Sequence, residues 1–124
     1  MHGYIGNIEK ATLENENFRA VLYTGPDSQL VVMSIQPQEE IGKEAHSIDQ
    51  FIRVEAGRGE ITIGERVEIV SDGFAVVVPA NTMHNVVNVG EELLKLYTIY
   101  TAPQHKDGTV HKTKADAEAD PDEH

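Results

Sequence analysis

Turn-forming residues interrupt this chain every ~8–12 residues between about residue 25 and residue 101, and the stretches between them are short and apolar or alternating. That spacing leaves no room for a long helix and points to an all-β sandwich or barrel. Leu30–Ile35 is a β-branched run bounded by Gly25-Pro26-Asp27 and Pro37, the pattern of a buried strand. Ile52 and Val54 alternate with Arg53 and Glu55, which places the two charged side chains outward. Glu60–Ile63 alternates as well, and Gly64-Glu65-Arg66 turns it into Val67–Val70. Ser71-Asp72-Gly73 precedes Phe74–Val78, and Pro79-Ala80-Asn81 ends that strand. Asn85–Val89 follows, and a last strand runs from Leu93 to about Thr101. Helix is scarce. A short turn is expected near Asn7–Leu13, and a second helix over Lys112–Ala119 has only alanine at its apolar positions, so little would dock it.

Composition narrows the function. With 124 residues there is room for one domain, expected over 1–115 with its core in about 30–100. Residues 116–124 are expected to be an acidic, solvated tail. Aromatics are 6% and tryptophan is absent, so Val, Ile and Leu must build the core. Ten Lys and Arg against 21 Asp and Glu give a net charge of −11, the wrong field for nucleic acid. No apolar run approaches the ~20 residues of a membrane helix, and no signal-like segment opens the chain. A cytoplasmic protein with a small-molecule partner is the expectation. The absence of cysteine removes disulfides, thiolate metal sites and cysteine nucleophiles, so any metal must be held by His, Asp, Glu or amide groups.

Two segments concentrate the polar residues that bear chemistry. Glu44 and His46 are two apart, so on an extended segment both project from one face. Gln50 shares the parity of Ile52 and Val54 and should point into the core, where an amide needs partners. His84 shares the parity of Val86 and should likewise face inward, whereas Asp49 points outward as a surface or loop-capping residue. His105 and His111 sit in a polar stretch and read as surface residues. Tyr97 and Tyr100 read as packing residues, and Arg53 and Arg58 as surface or interface pairing.

These residues carry a resemblance. Gly73, Pro79, His84 and Asn88 stand at the spacing of the second cupin motif, with Asn81 where that motif has glycine. Asparagine tolerates left-handed backbone, so the exchange is mild. Counting back from Gly57, the first cupin motif places Gln50 at its glutamate, His46 at its second histidine and Glu44 at its first. The resemblance covers roughly residues 30–100 and implies a double-stranded β-helix, or jelly roll, with ligands at the barrel mouth. The chain is also similar to small stand-alone cupins described as mannose-6-phosphate isomerase-like, through Asp49-Gln50-Phe51 and Leu96-Tyr97-Thr98-Ile99-Tyr100. The zinc-dependent isomerases of that name use one Gln, two His and one Glu, the same ligand types with Gln and Glu exchanged.

The resemblance implies a divalent metal site of Glu44, His46, Gln50 and His84. Zn(II), Fe(II), Mn(II) and Ni(II) all suit two imidazoles and a carboxylate. Gln50 is either a carbonyl ligand or an orienting donor behind the ligands. The function implied is Lewis-acid chemistry of the isomerase or lyase type on a small, oxygen-rich molecule, sugar-like or a keto acid, with Glu44 as a candidate base. A non-catalytic binding or sensing cupin and an Fe-dependent dioxygenase are the alternatives. A homodimer is expected, formed through Phe51 and Arg53 and through a strand added near Phe18, Val21 and Tyr23.

Overall fold

The computed structural model describes residues 2–122. Helix α1 (Ile8–Glu14) precedes nine strands, β1 (Arg19–Thr24), β2 (Gln29–Ile35), β3 (Asp49–Ala56), β4 (Arg58–Ile63), β5 (Arg66–Ser71), β6 (Ala75–Val78), β7 (His84–Asn88), β8 (Leu94–Thr101) and β9 (Val110–His111). Helix α2 (Lys114–Ala119) follows them. The strands form two antiparallel sheets, ordered β6-β3-β8-β2-β1-β9 and β5-β4-β7. This is the all-β fold expected from the turn spacing, in the jelly-roll form that the cupin resemblance implies.

Register explains which residues fill the interior. Across the larger sheet, Val76, Ile52, Thr98, Val31 and Val21 stand opposite one another in successive strands. Directly opposed residues share a face, and this row faces the second sheet. The next row carries Val54, Leu96, Met33, Arg19 and His111. In the smaller sheet, Ile61 opposes Val86 and Ile63 opposes His84. Val31, Ile35, Ile52, Val54, Leu94 and Leu96 are essentially sealed from solvent. Each fully buried side chain of this kind stabilises the fold by ~1.5–3 kcal/mol.

Two backbone positions require their residues. Gly57 turns β3 into β4 at φ +90°, and a Cβ there would lie 2.6 Å from the Leu93 carbonyl oxygen. Asn81 adopts φ 61°, the left-handed conformation its side chain tolerates, after Pro79. Asn88 is buried and spends its amide on the backbone: Nδ2 donates to Ile35 O and Glu92 O, and Oδ1 accepts from Gly90 N. The motif asparagine is therefore a fastening at the end of β7.

Several expectations change. Glu55 keeps the parity of Arg53, whose guanidinium it meets at 3.5 Å, yet it is buried because α1 packs across the outside of β3 and β8. Asn7 caps helix α1 by accepting from Lys10 N, and Lys95 Nζ of β8 ties its C-terminal end to the sheet by donating to the carbonyls of Leu13 and Asn15. The acidic end of the chain is not wholly a solvated tail. Thr113 caps α2, and Ala117 enters the core cluster, small enough to approach closely. Finally, β1 does not offer a free edge for a partner strand along Phe18–Val21. Phe18 N and Val21 N donate to Lys112 O and Thr109 O, β9 pairs with Arg19 and Ala20, and the Phe18 ring is in the core.

Gly57→Ala is expected to destabilise the fold by roughly 2–4 kcal/mol, from the left-handed backbone and the collision with Leu93. Urea unfolding should show a lower midpoint with an unchanged slope; an unshifted midpoint would mean the turn relaxes freely.

Candidate metal centre

The site is built where the chain before β3 runs alongside β7. Glu44 and His84 face each other as an isolated bridge, Glu44 N donating to His84 O at 3.0 Å and His84 N to Glu44 O at 2.9 Å. Such a reciprocal pair puts both side chains on one face. His46 follows two residues on, and its carbonyl accepts from Asn81 N, so the left-handed turn after β6 anchors the second histidine.

The three side chains converge. His46 Nε2 lies 3.3 Å and His84 Nε2 3.8 Å from the same oxygen, Glu44 Oε1. One ligand atom from each lies within 4.8 Å of the others. His84 Nδ1 is 3.0 Å from Thr82 O, and a carbonyl only accepts, so Nδ1 carries the proton and Nε2 presents its lone pair to the centre. Both Nε2 atoms are buried without a hydrogen-bond partner, an arrangement that costs free energy unless something occupies the point between them. A divalent ion ~2.0–2.2 Å from each donor would set donor pairs roughly 2.8–3.6 Å apart, close to the separations seen. The residues fit a metal ion.

Gln50 points inward from β3, buried as its parity requires. Its Nε2 donates to Thr98 Oγ1 at 2.9 Å, and Thr98 Oγ1 donates to Phe51 O, which leaves Gln50 Oε1 buried and unpartnered. Asp49 faces outward and caps the loop after β6 by accepting from Ala80 N.

A cavity of about 470 Å³ opens on Glu44 and His46 and is also lined by Arg19, His105 and Lys114. Its wall contains His105, which its polar stretch had placed at the surface. His105 Nε2 is 3.2 Å from Tyr100 Oη, and the Tyr100 ring meets the His46 ring edge-on, centroids 5.6 Å apart. Gln29 fixes this arrangement. Fully buried, it donates to Thr24 Oγ1 and His105 O and accepts from Gln104 N and His105 N. His111 is buried too, against the expectation, between Arg19 and Asp120. The signal that would have found these residues is long-range register, which places β9 beside β1; local alternation does not carry it.

Burial alone would raise the Glu44 carboxyl, but the close approach of His46 and the charges of His46, His84 and Arg19 outweigh it and hold the group below its ordinary range.

The 31–100 segment matches the cupin domain model. The chain belongs to the cupin family. It is 46% identical over 123 residues to YrkC of Bacillus subtilis, covering 94% of this chain and 66% of that protein. The crystal structure of BH2720 from Bacillus halodurans is 49% identical, with TM-score 0.92, covering 96% of this chain and 98% of that one. The structure of KdgF from a Halomonas species shares the fold at 23% identity and TM-score 0.62, covering 68% of this chain and 78% of that one. This cupin spans slightly less than two thirds of YrkC, the longer protein.

His46→Ala and His84→Ala should each lose most bound divalent metal while unfolding cooperatively, read as metal-to-protein ratio by plasma mass spectrometry. A full equivalent retained by both would remove these histidines from the site. Glu44 adds an acid signature to the metal-free protein. A carboxyl depressed in the fold contributes stability above its unfolded pKa, near 4.5, and loses it as pH falls through the folded value. The melting-temperature advantage over Glu44→Gln in chelator should therefore shrink as the pH falls below about 4.5. An advantage independent of pH would contradict the depression.

Proposed function

We propose that this cupin is a divalent-metal-dependent enzyme acting on a small, oxygen-rich molecule, with Glu44, His46 and His84 as the metal-holding set. The observation that carries the reading is the pair of buried, unpartnered imidazole nitrogens turned on one carboxylate oxygen beside an open cavity. Two imidazoles and a carboxylate leave coordination positions for ligand and accept Zn(II), Fe(II), Mn(II) or Ni(II). Gln50 Oε1 is either a further ligand or the acceptor that orients a molecule bound there. A cation at this point would supply Lewis-acid polarisation of a ligand oxygen.

The chain's own residues divide the remaining work. Ile52, Val54 and Leu96 are sealed from solvent in the strand pair that carries Gln50. His105, held by Gln29 and bonded to Tyr100, is the imidazole on the cavity wall outside the metal set, and it is the group placed to move a proton. With Glu44 committed to the centre, this division suits isomerase or lyase chemistry, which relocates a proton next to a carbonyl. A mannose-6-phosphate isomerase-like activity is one member of that class.

The test is deuterium incorporation from heavy water, followed by proton NMR, into a panel of α-hydroxy aldehydes, ketoses and keto acids with protein purified without a histidine tag. Metal-dependent exchange at the carbon next to the carbonyl is expected for at least one compound. His105→Asn should slow it by about 10²–10⁴-fold with metal content unchanged. Binding of a panel compound without exchange would make this a binding cupin. Oxygen consumption with Fe(II) would place it among the dioxygenases.

A further inference from the structure

Arg19 is buried in a chain with twice as many acids as bases, yet it forms no ion pair among the described residues. It stands on the inner face of β1, in the row that contains Met33 and Leu96, and lines the same cavity as Glu44 and His46. Its Nη1 lies 3.3 Å from His111 Nδ1. Guanidinium only donates, so that nitrogen must be an acceptor and the His111 proton sits on Nε2, which donates to Asp120 Oδ2 at 2.9 Å. The guanidinium also lies against the Phe18 ring, 5.3 Å from its centroid. Its Nε is buried and without a hydrogen-bond partner.

These contacts hold the side chain without neutralising it. A neutral imidazole and an aromatic face fix its plane, while the carboxylate that would ordinarily satisfy a buried arginine stands on the far side of His111. The other acids at the cavity form no ion pair with the guanidinium among the described residues: Glu44, whose carboxyl feels the Arg19 charge, lies against His46 and His84, Asp122 meets Lys106 at 3.8 Å, and Glu118 is exposed. A buried, planar, unpaired cation on a cavity wall is a carboxylate receptor, because its fork matches the two oxygens in geometry and charge.

We propose that Arg19 binds the carboxylate of the molecule that enters this cavity, and that the molecule class is a small organic acid whose second oxygen function faces Glu44 and His46. This rests on the metal-centre reading for the second contact only. The volume, about 470 Å³, admits a compact metabolite-sized acid.

The test uses pyruvate and its uncharged analogue methyl pyruvate, titrated by ligand-observed NMR against Mn(II)-loaded wild type and Arg19→Met, with Mn content measured on each. Arg19→Met should weaken pyruvate by about ten- to a hundredfold while leaving methyl pyruvate and Mn content unchanged. Should Arg19→Met not fold, Arg19→Gln, which keeps a donor for His111 but no charge, decides by the same comparison. Unchanged pyruvate affinity, or equal weakening of acid and ester, with Mn(II) retained overturns the proposal and leaves the metal centre standing. Wild type without bound Mn(II) that still loses pyruvate on substitution removes the metal centre and supports Arg19.

Discussion

The two backbone hydrogen bonds between Glu44 and His84 are the constraint on which the site depends. They join a segment outside the regular strands to the edge of the smaller sheet, so a carboxylate and an imidazole from residues far apart in sequence become direct cross-strand neighbours. The Asn81 turn then brings His46 to the same point through its own backbone bond. Main-chain geometry thus sets the positions, and side-chain chemistry follows: a hydrogen bond to Thr82 selects the His84 tautomer, and packing against Tyr100 limits the His46 ring.

Much of this was legible in residue order because alternation is a local property. The parity of Ile52 and Val54 places Gln50 inside, that of Val86 places His84 inside, and the structure agrees at both positions. Motif spacing added the pairing of Glu44 and His46 with His84, which no single strand shows, and the triad is assembled accordingly. Asp49 was legible as a loop cap, a role that needs only proximity to the next turn.

What stayed hidden was set by contacts between distant elements. Glu55 has outward parity, and only the passage of α1 over that face buries it. His111 and Arg19 are 92 residues apart and meet because β9 adds to the edge of β1. His105 reaches the cavity through the amide of Gln29. An alanine helix looked too weak to dock, yet Ala117 succeeds because a small side chain allows close approach, an argument about space that hydrophobicity alone misses.

The net charge of the molecule also has a kinetic side. The molecule carries −11 charges overall, and in its cavity Arg19 and Lys114 stand beside Glu44, Glu118 and Asp122. Such a body draws divalent cations toward itself and slows the approach of anions, and both effects act over about a Debye length, ~10 Å at 0.1 M salt. Raising ionic strength would therefore slow capture of a metal ion and hasten capture of an acid. The two ligands of one pocket would respond to salt in opposite directions, which makes the order in which they arrive a property of the medium as well as of the protein.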